Sequence, residues 1–106
     1  MAWVILFFAG LMEIGWPLGL KYGWREDGIH TWPLVVAVVS MLASGALLFL
    51  AQRTIPMGTA YVVWTGIGSV GAFVAGVLLF GEAATAARLA CVVLIVAGIV
   101  GLKIFS

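Results

Sequence analysis

The stretch FFAGLMEIGWPLGL, residues 7–20, is apolar apart from one carboxylate, Glu13, near its centre. The apolar run begins at Ala2, which gives it nearly the ~20 residues that a helix needs to cross a bilayer core. Similar runs follow along the chain, so that candidate spans lie at residues 2–20, 32–51, 57–81 and 88–104. A lone acid in such a run is costly, so its surroundings decide what it does.

The composition excludes a soluble domain. Of the 106 residues, 65% are hydrophobic and only 8% are charged, which leaves too few polar side chains to cover the surface of a small soluble protein. The apolar runs use most of the chain, and only short connections separate them. Because short connections make successive helices antiparallel neighbours, the sequence predicts an all-α integral membrane protein with four transmembrane helices in one domain, residues 1–106.

The basic residues give the chain almost no preferred orientation. Lys and Arg usually accumulate on the cytoplasmic side of a membrane protein. Here one side receives Lys21, Arg25 and Arg88, and the other receives Arg53 and Lys103. The count leaves two alternatives open: insertion in both orientations, or a weak bias under which one orientation still prevails.

Glu13 is the main candidate for a functional residue. It lies about 3 Å from the midpoint of its span at the rise per residue of an α-helix, and no Lys, Arg or His lies at a similar depth in the other spans. Because burial disfavours a charged carboxylate, we expect Glu13 to be protonated until a cation arrives and ionised when the cation binds. The alternative is a protonated Glu13 that only hydrogen-bonds a neighbouring helix.

Trp16 and Pro17 follow Glu13 by about one turn. Trp16 shares a helical face with Glu13, and a tryptophan at this depth offers a π face to a cation and an N–H donor; plain packing is the alternative. Pro17 has no N–H, so the carbonyl of Glu13 loses its helical partner and the helix should bend there. The bend leaves a free acceptor beside the carboxylate, unless it is an ordinary kink of a membrane helix.

Polar side chains of the second and third spans form a second group of candidates. Tyr61 and Trp64 lie one turn apart and both carry hydrogen-bonding groups, with Gly68 continuing their face. Ser44 lies near the middle of the second span and shares a face with Ser40. A serine there either contributes to the site or bonds back to its own helix.

Gly66, Gly68 and Gly71 spell the G-x-G-x-x-G of dinucleotide-binding proteins, a motif that has meaning only between a strand and a helix. Inside an apolar span these glycines predict close helix contact and flexibility. Gly98 and Gly101 in the fourth span predict close helix approach for the same reason.

No residue pattern indicates an enzyme, a metal site, a cofactor or nucleic acid binding. His30 and Cys91 are isolated in the sequence, so they suggest neither a metal site nor a nucleophile–base pair. We expect His30 to be solvated in the first loop and Cys91 to be a small packing residue. The net charge of +1 includes no basic cluster that would suit nucleic acid.

The chain resembles the small multidrug resistance family over essentially its whole length. The similarity lies in AGLMEIGW around Glu13, in GTAYVVWTGIG from Gly58 to Gly68, and in the ending GIVGLK. Within the family, the tryptophan of E-x-x-W and the sequence WTGIG are similar to those of the guanidinium-exporter subtype.

The resemblance implies an antiparallel homodimer of dual-topology subunits that exchanges guanidinium-like cations for protons in the bacterial inner membrane. It assigns Glu13, one from each subunit, to both proton and substrate. It implies a hydrogen-bonded surround made of Trp16, Ser44, Tyr61 and Trp64. The fourth helices would pair across the dimer, the lipid bilayer would surround it, and no cofactor would be needed.

The sequence differs from the guanidinium-exporter subtype in features that bear on substrate selectivity. Pro17 replaces a small residue such as alanine, Gly45 replaces a bulkier side chain, and the first loop is longer than usual. Pro17 and Gly45 are expected to touch the site or its lining, so substituted guanidines or small quaternary ammonium ions become possible substrates. The alternative functions are a broader multidrug transporter of quaternary ammonium cations and a heterodimer subunit that is inactive without a sister chain.

Overall fold

The structure is a computed structural model that describes residues 1–105 and places four long helical segments among them. The first segment is divided into α1, Ala2–Met12, and α2, Gly15–Gly23. The other segments are α3, Thr31–Ala51, α4, Met57–Phe80, and α5, Ala86–Ile104. All four segments are long and apolar enough to cross a membrane, which confirms the predicted helical membrane class.

The ends of the helices differ slightly from the predicted spans because local capping sets them. α2 continues to Gly23, beyond the predicted end at residue 20. α4 ends at Phe80 because Gly81 takes the left-handed conformation, with a φ of 65°, that often terminates a helix. α5 begins at Ala86 because the hydroxyl of Thr85 accepts the N–H of Arg88 at 3.3 Å and caps the helix.

The first segment loses its regular hydrogen bonds between α1 and α2. The N–H of Glu13 still bonds to the carbonyl of Ala9 at 3.1 Å. The N–H of Ile14 instead bonds to the carbonyl of Leu11 at 3.2 Å, one residue nearer than in an α-helix. The interruption lies in the turn where Pro17 predicts a bend.

The connection after α2 contains a small hairpin that the sequence did not predict. Its two-residue strands, β1 at Trp24–Arg25 and β2 at Gly28–Ile29, pair in antiparallel fashion. Gly28 adopts a φ of 125°, which side chains disfavour, so glycine suits this position. The prediction that His30 is merely solvated is wrong. Its Nε2 lies 3.0 Å from Oδ1 of Asp27, and this hydrogen bond lowers the pKa of Asp27.

α1 and α2 pack against both α3 and α4, and small residues allow the close approach. A Cβ at Gly10 would lie 2.6 Å from the Cβ of Ile67 on α4. A Cβ at Gly19 would lie 2.7 Å from the Cβ of Ala37 on α3. Such contacts matter in a membrane because lipid tails are as apolar as the side chains, so helices associate through tight packing.

α5 packs mainly on α4 and buries none of its own residues. Ile99 fills the space at Gly66, where a Cβ would lie 2.7 Å from the Cδ1 of Ile99. A Cβ at Gly98 or Gly101 would meet nothing within 4 Å in the single chain, so the predicted close helix contact of these glycines remains a prediction for a dimer. Cys91 is exposed on α5, so it packs against nothing within the single chain.

Candidate functional site

Glu13 lies at the junction of α1 and α2 and is half-buried. Its side chain packs on α4 at Gly68, where a Cβ would lie 2.7 Å from the Glu13 Cγ and 3.0 Å from its Cβ. Any larger residue at position 68 would therefore displace the acid. The close helix contact predicted for Gly68 is confirmed, and its partner is the candidate functional residue itself.

The glycines of the G-x-G-x-x-G sequence all receive side chains from neighbouring helices. Gly66 packs against α5, Gly68 against Glu13, and Gly71 against Ile14. The motif lies in the middle of α4, far from any strand-to-helix turn. Its spacing therefore serves helix packing, as predicted, and places two glycines against the break in the first segment.

Trp16 is the direct partner of Glu13. Its Nε1–H donates to Oε1 of Glu13 at 2.7 Å, which agrees with their predicted position on one face of the helix. Among residues 1–105, no salt bridge reaches Glu13 and no donor reaches its Oε2. Trp16 thus orients the carboxyl group through one oxygen and leaves the other available to a ligand.

Ser44 and Trp64 form a hydrogen-bonded chain that reaches the backbone next to Glu13. The Trp64 Nε1–H donates to Ser44 Oγ at 2.8 Å, and the Ser44 hydroxyl donates to the carbonyl of Ala9 at 2.7 Å. That carbonyl also accepts the N–H of Glu13. Ser44 is fully buried and bonds to another helix, so the alternative that it bonds back to its own helix is wrong.

Tyr61 is placed differently from the other surround residues. Its ring lies against that of Trp64, with centroids 5.5 Å apart and a tilt of 50°. Its side chain is 55% exposed, and within residues 1–105 its hydroxyl makes no hydrogen bond to Glu13. Tyr61 therefore connects to the site only through the Trp64 ring in the single chain.

Gly45 does not line the site of the single chain. It is exposed on α3, and a Cβ there would meet nothing within 4 Å. It follows Ser44 by one residue, which turns it about 100° around the helix, away from the face that carries the buried serine. The expectation that Gly45 touches the site concerns a dimer and stays a prediction.

The structure shows that Ala9 and Gly15 also shape the surroundings of Glu13, which the sequence analysis did not predict. Ala9 contributes a backbone carbonyl that joins the Ser44 hydroxyl to the Glu13 N–H. Gly15 packs closely on Ser40, which brings α3 against the start of α2. A backbone acceptor leaves no trace in residue type, so no signal identified Ala9. The small residue at position 15, one turn before the buried Gly19, was the available clue for Gly15.

A cavity of about 350 Å³ opens beside Pro17, between α2 and α4. Leu18, Ser69 and Phe73 contribute to its lining, and Glu82 lies at its outer end, after α4. The cavity therefore begins one turn after Glu13, at the start of α2.

We predict that Ser44→Ala weakens both the fold and the site. The substitution removes the acceptor of the buried Trp64 N–H and the donor to Ala9, so the free energy of unfolding should fall by about 1 kcal/mol. Thermal unfolding in detergent measures this loss. Ser69→Ala is the matched control, because its hydroxyl bonds only to the carbonyl of Gly66 on its own helix at 3.1 Å. Equal stability of the two variants would contradict the assigned chain of hydrogen bonds.

Known proteins are similar to this chain over nearly its whole length. A family model described as Small Multidrug Resistance protein matches residues 1–95. A protein named Guanidinium exporter from Citrobacter freundii is 50% identical over 104 residues, which cover 98% of this chain and 97% of the relative. Proteins of the same name from Salmonella typhimurium and from Escherichia coli strain K12 match with the same identity and coverage.

Proposed function

We propose that this chain, which belongs to the Small Multidrug Resistance protein family, exports guanidinium and small guanidinyl cations in exchange for protons. It is a multi-pass protein of the bacterial inner membrane, and it is a transporter rather than an enzyme. Relatives named Guanidinium exporter, identical at half of the aligned positions, support the choice of cation.

The main support for this proposal is the environment of Glu13. It is half-buried within a membrane-spanning segment, it accepts one hydrogen bond from Trp16, and no basic side chain among residues 1–105 forms a salt bridge with it. An acid at this depth without a cationic partner is stable when it carries a proton or when an external cation is bound. Proton and substrate therefore compete for the same carboxyl group, and one leaves as the other binds.

Guanidinium chemistry fits this competition. The cation is planar, keeps its charge at physiological pH, and donates two parallel N–H bonds to a carboxylate. Trp16 uses Oε1 from one side of the carboxyl group and fixes its orientation. Ser44 and Trp64 hold the backbone next to Glu13 through the Ala9 carbonyl. In this proposal these residues position the acid, while Glu13 alone binds the proton and the cation.

We place this site in an antiparallel homodimer. The Cα extents of the chain are 48 × 34 × 17 Å, so its thinnest direction holds about two helices at the usual spacing of packed helices. One such layer leaves Glu13 half-open, and a second copy would cover it with a second Glu13. Nearly balanced basic residues support two orientations in one membrane, and the unburied α5 supplies a face for pairing.

Transport would follow from exchange of conformation between the two subunits around a fixed site at mid-membrane depth. In transporters built from oppositely oriented repeats, such an exchange opens the site to alternate sides. Here the two orientations of one chain would take the place of the repeats. Obligatory occupation of the acids by protons or by a cation couples the two fluxes.

The test is cation-driven proton movement in liposomes that contain the purified protein. Guanidinium, methylguanidinium, phenylguanidinium and tetraethylammonium are added outside, and internal pH is followed with a trapped dye. We expect an opposing proton flux for the guanidinium compounds. Movement of guanidinium without an opposing movement of protons would contradict the antiport. An inactive but folded protein would contradict the homodimer and favour a subunit that requires a sister chain.

A further inference from the structure

The break in the first segment leaves the backbone carbonyl of Glu13 without a donor. The N–H of Ile14 bonds to the carbonyl of Leu11, and the N–H of Leu18 bonds to the carbonyl of Ile14 at 3.3 Å, so neither reaches the carbonyl of Glu13. Among residues 1–105, no N–H or side chain donates to the carbonyl oxygen of Glu13. In a membrane such acceptors are costly unless a ligand or water satisfies them.

Pro17 is the physical cause. In a continuous helix the N–H of residue 17 would donate to the carbonyl of Glu13, but proline has no N–H. Its ring also presses against the preceding turn, which disfavours a regular helix there. The loss of this bond coincides with the observed break.

The open acceptor belongs to the same residue as the carboxyl group, and Pro17, one turn later, borders open space. Pro17 is half-buried and lines the cavity of about 350 Å³ between α2 and α4. Trp16, the residue between the break and Pro17, donates to the carboxyl group of Glu13. A cation held by that carboxyl group would therefore lie near a backbone oxygen that carries partial negative charge.

We propose that Pro17 is a specificity-determining residue, because it keeps the carbonyl oxygen of Glu13 free to accept an N–H of the bound cation. This inference rests on the proposed function and names how the same site selects its substrate. A guanidinium ion has more N–H donors than one carboxylate accepts, and each donor left unsatisfied away from water is costly. A quaternary ammonium ion has no N–H and gains nothing from the carbonyl.

Pro17→Ala tests this role because alanine restores the missing N–H and lets the helix close on the carbonyl of Glu13. We expect the half-saturating concentration of guanidinium to rise about tenfold, the loss of one hydrogen bond to a charged group. Inhibition by tetramethylammonium should keep its wild-type concentration dependence. Pro56→Ala is the matched control, since Pro56 is exposed and precedes the first residue of α4, so no interior carbonyl depends on it.

Amide hydrogen exchange separates the proposed role from a general distortion. The new N–H at residue 17 should exchange slowly in Pro17→Ala if it bonds to the carbonyl of Glu13, and binding of guanidinium should weaken in parallel. Unchanged guanidinium affinity, or equal weakening for guanidinium and tetramethylammonium, would overturn the proposal. If tetramethylammonium inhibits neither the wild-type protein nor Pro17→Ala, the exchange measurement decides. Rapid exchange of the amide at residue 17 would then overturn the proposal.

A second variant covers the case in which Pro17→Ala does not fold. Pro17→Gly also restores the N–H without adding a side chain, and the same expectations apply to it. Failure of this inference is distinct from failure of the proposed function. If the wild-type protein moves no protons in response to guanidinium, the proposed function fails; if it does so and the position 17 variants match it, only the role of Pro17 fails.

Discussion

Glu13→Gln is expected to reduce guanidinium-driven proton flux to the level of empty liposomes while the protein stays folded. Glutamine has nearly the shape of glutamate, and its amide oxygen accepts the Trp16 N–H that now reaches Oε1. The neutral amide of glutamine neither takes up a proton near neutral pH nor balances the charge of a cation. Both partners of the proposed exchange therefore lose their binding group in one substitution.

The measurement is the same dye-based proton flux, with thermal unfolding in detergent as the check on folding. Glu26→Gln is the matched control, because it also removes one carboxylate but lies in the exposed turn of the hairpin. The control should transport like the wild-type protein. A folded Glu13→Gln variant that still couples guanidinium to protons would disprove the central role of this acid.

Mixed populations extend this experiment to the proposed dimer. If both acids are required and subunits pair at random, an equal mixture of wild-type and Glu13→Gln chains should retain about a quarter of the wild-type flux, the fraction of dimers with two acids. Retention of half the flux would indicate that each chain works independently. The mixture therefore tests the assembly without a structure of the dimer.

Gly68→Ala is expected to damage transport by moving Glu13, although the acid itself is unchanged. The added Cβ would lie 2.7 Å from the Cγ of Glu13 and 3.0 Å from its Cβ. These atoms lie close to the backbone, so relief requires a shift of the first segment away from α4. Overpacking of this kind typically costs about 1–3 kcal/mol.

The expected results are a lower unfolding temperature and a weaker response to guanidinium at equal protein content. Gly58→Ala on the same helix is the matched control, because a Cβ there meets nothing within 4 Å. That control should be at least as stable as the wild-type protein, since alanine favours helix more than glycine does. Similar behaviour of the two alanine variants would refute the contact between Glu13 and Gly68.

Several features of the site followed from short-range sequence patterns. Trp16 lies three residues after Glu13, so the helical repeat alone places both on one face, and the structure joins them by a hydrogen bond. Pro17 lacks an N–H whatever surrounds it, so the turn before it was certain to lose a bond. These predictions needed only the local geometry of one helix.

Other features depended on how each helix is rotated about its axis. Ser44 reaches Ala9 on another helix, whereas Gly45, Gly98 and Gly101 lie against nothing within the chain. In a soluble protein the polar face of a helix reveals its rotation, but these helices are apolar on all sides. Lipid and protein interior are equally apolar, so the sequence carries little information on which face meets which.

The sequence by itself therefore determined the four membrane-spanning helices, the lone acid at mid-depth and the position of the break. Each of these depends on the free energy of moving residues out of water or on bonds within one turn. The tertiary structure alone decided that Gly68 receives Glu13 and that the Ala9 carbonyl links Ser44 to Glu13. Those outcomes depend on close steric fit between helices, which residue type alone does not specify.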